Sequence, residues 1–273
     1  MAYKGKRMSN VCIANKAKLE VIKPIKIPYK QIEDRELNLY VYLPKGNPTG
    51  CVLCVHGGGW RSETPMRLAP HAAYFAENGA IGISVEYRLI SENLDVRNSL
   101  EDCVDALLFT RGFLKEKYGD LPITALGDSA GAYLAVCLGN SKILNKINAN
   151  LCVVDYIVDL NGIVDLTEKW NYAILEKMGE NKKEIEKNFS PLYNVSKDDS
   201  PVLIIHGADD KTVVLADSQR YADALNMAGI KNELVVLDNT AHAFILFDYR
   251  HDNTFVEQVL MMIAKKLKEV GVI

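Results

Sequence analysis

Ile123-Thr-Ala-Leu-Gly-Asp-Ser-Ala-Gly131, continuing into Ala132-Tyr-Leu-Ala-Val-Cys-Leu138, carries the strongest structural signal in the chain. A short apolar run suited to a strand, Ile123 to Leu126, passes through Gly-x-Ser-x-Gly into small and apolar residues suited to a helix. A strand that reverses into a helix so abruptly leaves no room for a Cβ at Gly127 or Gly131, and it holds Ser129 exposed at the helix N-terminus. There the Ala130 amide and the positive end of the helix dipole can receive an oxyanion. Five such residues recur by chance, but this strand and this helix around them make Ser129 a candidate nucleophile rather than a structural turn.

Upstream, the apolar run Cys51 to Val55 ends in His56-Gly57-Gly58-Gly59-Trp60. Successive glycines free backbone amides to point at a ligand, which suits an oxyanion-hole loop. No Lys-Ser or Lys-Thr follows them, so a phosphate cradle is disfavoured. Downstream, Val202-Leu-Ile-Ile-His-Gly-Ala-Asp-Asp210 is a buried-strand pattern running into two carboxylates. Asp210 is chosen to orient a catalytic imidazole, with Asp209 as a loop or capping residue. After the strand pattern Glu233 to Leu237 comes Asp238-Asn-Thr-Ala-His-Ala-Phe244, where His242 has the place of a base. The order Ser129, Asp210, His242 is that of an α/β-hydrolase and of neither common serine-protease order. Of the other histidines, His56 reads as a loop anchor and His206 as a packed structural residue, while His71 and His251 are expected to face solvent.

Around these motifs the chain alternates apolar strands with amphipathic helices. Further strands are expected at Ala80 to Val85 and Val153 to Leu160. Helices are expected around Leu100 to Leu108 and Phe255 to Leu267, whose apolar stripes read as core. Before this region, alternating stretches Val21 to Tyr29 and Leu37 to Leu43 flank the polar turn Glu33-Asp34-Arg35, an antiparallel hairpin signal. The expected fold class is therefore α/β: a mostly parallel central sheet with an N-terminal antiparallel hairpin and helices on both faces. One segment, about 162–200, breaks the rhythm and is expected to be a helical excursion over the strand ends. At 273 residues and without internal repeats, residues 1–273 are expected to form a single domain.

Bulk properties narrow the partners. A formal charge of −3 and a pI near 6.0 give no basic field for nucleic acid or an anionic membrane, so a small, roughly neutral molecule is the expected partner. Self-association stays open. The six cysteines lack a framework spacing, and Cys51 and Cys54 fall on opposite faces of one strand, so neither disulfide nor metal is expected. No signal-peptide core follows the basic first residues and no long apolar span occurs, which sets the expectation of a cytoplasmic protein. No cofactor is expected.

Together, His56-Gly-Gly-Gly-Trp60, Gly127-Asp-Ser-Ala-Gly131, His206-Gly-Ala-Asp-Asp210 and Ala241-His242 resemble the hormone-sensitive-lipase-like branch of α/β-hydrolases, especially its acetyl-esterase and acetyl-xylan-esterase-like members. The resemblance spans about residues 50 to 270. It implies a Ser129, Asp210, His242 triad, an oxyanion hole from Gly58, Gly59 and Ala130, and an acyl-enzyme route to carboxylic ester hydrolysis without a cofactor. Val85-Glu-Tyr-Arg-Leu89 is similar to the branch's Asp-Tyr-Arg block, with Glu86 in place of the aspartate. Many members carry a helical cap where residues 1–43 here read as a tail and hairpin. An open pocket for short, acetyl-type acyl groups, including those on carbohydrates, is therefore expected, with Trp60, Trp170 and Tyr172 as candidates to line it or to pack. Two alternatives stay open: an amidase resembling kynurenine formamidase, and a non-catalytic binding protein on this fold.

Overall fold

The structure, a computed structural model, describes residues 23–33, 35–90, 94–148, 152–167, 182–247 and 253–273. In chain order the elements are β1 (Ile25–Ile32), β2 (Arg35–Tyr42), β3 (Cys51–Val55), α1 (Ala69–Glu77), β4 (Ile81–Val85), α2 (Val96–Lys117), β5 (Ile123–Asp128) and α3 (Ala130–Leu138). There follow α4 (Ser141–Ile147), β6 (Tyr156–Leu160), α5 (Lys182–Phe189), β7 (Val202–Gly207), α6 (Leu215–Met227), β8 (Asn232–Leu237) and α7 (Thr254–Glu269).

The strands form one sheet in the order β1-β2-β4-β3-β5-β6-β7-β8. β1 pairs antiparallel with β2, and β2 antiparallel with β4; every later pairing is parallel. Sequence and structure agree on this class, and the reason is visible in β3. Cys51, Leu53 and Val55 pack into one hydrophobic cluster and Val52 and Cys54 into the other, so the strand is apolar throughout because both faces are covered. α2, α3, α4 and α6 cover the first face, and α1 and α7 the second.

Several strand ends differ from the expected ones, most in the hairpin and in β6. The hairpin strands run closer to their turn, Gln31 pairing with Glu36 and Ile32 with Arg35, because these mostly exposed residues carry no alternating pattern to mark them. β6 starts at Tyr156 rather than Val153 because the preceding backbone bonds elsewhere: the Val154 amide donates to the Leu138 carbonyl and that of Asp155 to Ile123. The excursion contains α5 and a turn of 3-10 helix at Pro191–Tyr193; residues 168–181 lie outside the described residues. No described helix is long and apolar enough to cross a membrane.

β3 lies between β4 and β5, so consecutive strands depart from it in opposite directions across the sheet. In open parallel sheets the crevice at such a reversal, outside the carboxyl ends of the strands, receives ligands. The glycine loop leaves β3 and the Ser129 turn leaves β5 at this point, while the loops bearing Asn161, Asp210 and His242 leave β6, β7 and β8 on the same edge.

Candidate active site

Ser129 sits between β5 and α3 with φ 53° and ψ −119°, a strained conformation that a non-glycine residue adopts only when its surroundings enforce it. Its amide donates to the Leu160 carbonyl at 2.9 Å, tying the turn to the end of β6. A Cβ on Gly131 would overlap the carbonyl oxygens of Val55 and His56, so only glycine lets α3 approach β3 this closely. Ala130 opens α3, and its amide is among those no helical turn can satisfy.

His242 Nε2 lies 3.0 Å from Ser129 Oγ, and Nδ1 lies 2.6 Å from Asp210 Oδ2. The other oxygen of Asp210 accepts the amides of Thr212 at 2.8 Å and Val213 at 3.0 Å. Burial pushes this carboxyl up, but the two histidines and these amides outweigh burial and hold it well below the usual carboxylate range. Asp210 is thus an anion whose geometry requires the His242 proton on Nδ1, leaving Nε2 to accept from the Ser129 hydroxyl. Asp209 is exposed, and its amide donates to the Thr240 carbonyl in the His242 loop.

The glycine loop is built from the other side. The Gly57 amide donates to Asp128 Oδ1 at 2.7 Å, and Arg67 Nε approaches Asp128 Oδ2 at 3.4 Å. Gly58 and Gly59 both have positive φ, 108° and 62°, and the Gly58 carbonyl accepts the Arg61 and Ser62 amides. His56 anchors this loop: its Nδ1 donates to the Gly57 carbonyl at 2.9 Å, and its ring stacks on Tyr87 with centroids 4.4 Å apart. Burial lowers its pKa to about 4, so it is neutral at ordinary pH.

Of the two readings open for Trp60 the structure shows packing, and the expectation for His71 needs correction. Trp60 is fully buried with φ 58°, which turns its indole inward to meet Tyr133 edge-on at 5.3 Å; it packs in the core and does not line an accessible pocket. His71 does not face solvent. It is fully buried on α1, and its Nε2 donates to the Ile245 carbonyl at 2.9 Å, clamping the loop that carries His242. Trp170, Tyr172 and His251 lie outside the described residues.

Sequence reasoning also passed over Asn161. It has φ 47°, and its Nδ2 stands 3.2 Å from His242 Nδ1, while its Oδ1 is buried without a partner among the described residues. A half-turn of the amide would bring that oxygen against the ring, where it complements a positive imidazolium. No motif announces this residue. The only signal is an asparagine directly after an apolar strand, a position that favours left-handed backbone.

Comparison with known proteins comes to the same class. The model of the BD-FAE family matches residues 37–225, a stretch that includes Ser129 and Asp210 and stops short of His242. A probable isoprenylcysteine alpha-carbonyl methylesterase of Oryza sativa subsp. japonica is 25% identical over 76% of this chain and 54% of its own length. Hydrolase 3 of Catharanthus roseus is 24% identical over 89% of this chain and 81% of its own. The chain thus spans about half the length of the methylesterase relative. Among solved structures, an esterase of the Planctomycetes species Thermogutta terrifontis, with propionate bound, superposes with a TM-score of 0.79 at 26% identity, over 92% of this chain and 96% of that one. The same esterase has been described with butyrate bound and phosphorylated by paraoxon.

Proposed function

Because the chain belongs to the BD-FAE family, an α/β-hydrolase esterase lineage, we propose that it is a serine esterase in which Ser129, His242 and Asp210 form the catalytic triad and short-chain acyl esters are the substrates. The observation that carries this reading is the unbroken line Ser129 Oγ, His242 Nε2, His242 Nδ1, Asp210 Oδ2, with contacts of 3.0 and 2.6 Å. As Ser129 Oγ bonds to the ester carbonyl carbon, its proton passes to His242 Nε2, and the Asp210 carboxylate stabilises the imidazolium. The amides of Gly58, Gly59 and Ala130 receive the developing oxyanion, each key donor contributing about 3–4 kcal/mol. The same proton then goes to the departing alcohol oxygen. Water, deprotonated by His242, then bonds to the acyl carbon; the Ser129 Oγ–acyl bond breaks, His242 returns the proton to Ser129 Oγ, and the acid leaves.

The acyl half is argued from likeness. The Thermogutta esterase holds propionate and butyrate, and by that likeness two- to four-carbon acyl groups are the proposed substrates here. An acetylated carbohydrate is one such ester, and a methyl ester, like that named for the rice relative, is another.

Hydrolysis of p-nitrophenyl esters by the wild type and Ser129→Ala tests the proposal. Acetate and butyrate are expected to turn over well, and Ser129→Ala to lose about 10³-fold or more in kcat. Paraoxon is expected to place one diethyl phosphoryl group on Ser129. Full activity in Ser129→Ala would end the triad assignment; a preference for long acyl chains would end the short-acyl one.

A further inference from the structure

On the side of Asp210 away from His242 stands a second histidine that the hydrolytic relay leaves unused. His206, on β7, is fully buried. Its Nε2 lies 3.0 Å from the Val213 carbonyl oxygen and 3.4 Å from Asp210 Oδ2, the same oxygen that faces His242. Both neighbours of Nε2 only accept hydrogen bonds, so this nitrogen carries a proton. Nδ1 lies 2.8 Å from Ser218 Oγ on α6. A hydroxyl can donate to that nitrogen or, by turning, accept from it. Either a neutral imidazole or an imidazolium can therefore be fully hydrogen-bonded here, with no heavy atom displaced.

The surroundings favour charge on this ring. Asp159 on β6 pairs with Ile204, two residues before His206, and so shares its face of the sheet. Asp159 Oδ1 accepts the Gly162 amide, and Oδ2 is buried without a hydrogen-bond partner among the described residues. Burial opposes protonation of His206, but its contacts with Asp210 and Val213 and the field of Asp159 outweigh burial, so the ring holds its proton more tightly than free imidazole. On α6, which packs against β7, Tyr221 is a phenol that burial keeps neutral and Asp217 is paired with Arg220; Asp199 and Cys137 also act on Tyr221.

We propose that His206 is a positioning residue for the hydrolytic relay: by sharing Asp210 Oδ2 with His242, it sets how far into acid His242 can still accept the Ser129 proton. The proposal rests on the triad assignment. One carboxylate oxygen serves two imidazoles. With His206 charged, the pull of Asp210 on a His242 proton is diluted, and His242 remains a base at lower pH. Without His206, the whole of that charge acts on His242.

The test is the pH dependence of kcat/KM for p-nitrophenyl acetate in the wild type, His206→Gln and Ser218→Ala, beside Ser129→Ala. His206→Gln is expected to move the acid limb up by about one pH unit. Ser218→Ala removes the acceptor that the charged ring needs and is expected to move the limb the same way by less. It carries the test alone should His206→Gln not fold. An acid limb unmoved in both variants overturns the proposal, even if the plateau rate falls, since a packing role alone would lower the rate at every pH. A readout without turnover separates this result from the triad assignment. The downfield NMR resonance of the proton between His242 and Asp210 should change its pH dependence when His206 or Ser218 is replaced, in the Ser129→Ala background as well. An unchanged resonance would likewise overturn the coupling, whereas retained hydrolysis by Ser129→Ala would count against the nucleophile alone.

Discussion

Asp128, buried at the centre of the elbow, holds two motifs together that lie 71 residues apart, because its carboxylate accepts the Gly57 amide. Burial raises its pKa, while Arg67 and the Gly57 amide counter that rise. Asp128→Ala would leave the Gly57 amide and Arg67 without this acceptor, a loss of about 1–3 kcal/mol for the amide alone. The expected result is a lower urea midpoint and a kcat reduced about 10- to 100-fold through a misplaced glycine loop. Asp128→Asn keeps an oxygen for Gly57 and should retain much more of the activity. A matching loss in both variants would show that charge, and not the tie to Gly57, matters. At this scale a sequence reveals side chains whose chemistry requires a local pattern. Ser129, Asp210 and His242 stand in such patterns, and the fold brings them within hydrogen-bond distance. Asp128, His71 and Asn161 act on partners 71, 174 and 81 positions away, and nothing beside them in the chain marks the pairing.

The antiparallel hairpin is fastened to the parallel sheet by a buried charge cluster. Asp102 on α2 is fully buried; it accepts Lys30 Nζ of β1 at 2.7 Å and Arg88 at 2.8 Å through both guanidinium contacts. Tyr29 Oη donates to the Glu86 carbonyl beside it. Removing one member of a buried ionic group strands the others, so Asp102→Ala is expected to destabilise the protein by about 3–5 kcal/mol in urea unfolding. An effect under about 1 kcal/mol would place the hairpin's attachment in its apolar contacts instead. The replacement at Glu86 has its explanation here: the longer side chain reaches back to the Asn38 amide at 3.2 Å and to Arg35 at 3.2 Å, bonding β2 rather than the site. Periodicity revealed the strands and helices because each buries a face. It wrongly extended β6 back to Val153, because the amides of Val154 and Asp155 bond across the fold without regard to the apolar pattern.

Across the whole molecule, buried titratable groups tie stability to pH in opposing directions. His56 and His71 are held down to about 4 by burial, against an ordinary value of 6.5. Below 6.5 the unfolded chain takes up protons that the folded one refuses. Stability is then lost as pH falls towards 4, by about 1.4 kcal/mol per pH unit for each ring, and the loss levels off below that. Asp159, raised to about 6 mainly by burial, acts oppositely, its contribution being lost as pH rises from 3.8 to 6. Asp128 and His206, which also hold their protons more tightly in the folded protein, act in the same direction as Asp159, so the part played by the two rings is read by difference. His71→Gln, which keeps a donor for Ile245, should lose less stability than the wild type in urea unfolding as pH falls from 6.5 to 4, and an equal loss would remove His71 from the explanation. The sheet order was not legible in the chain at all, since strand patterns state that a strand is buried and not which neighbour it takes. That order has a consequence for how the protein matures. Ser129, Asp210 and His242 leave β5, β7 and β8, and no two of them share a loop or a hairpin. Contacts of such wide sequence separation form late in folding, after local structure has condensed. A partly folded chain can therefore hold every helix and still be inert, and a nascent chain has no relay until its last strand has been made and docked.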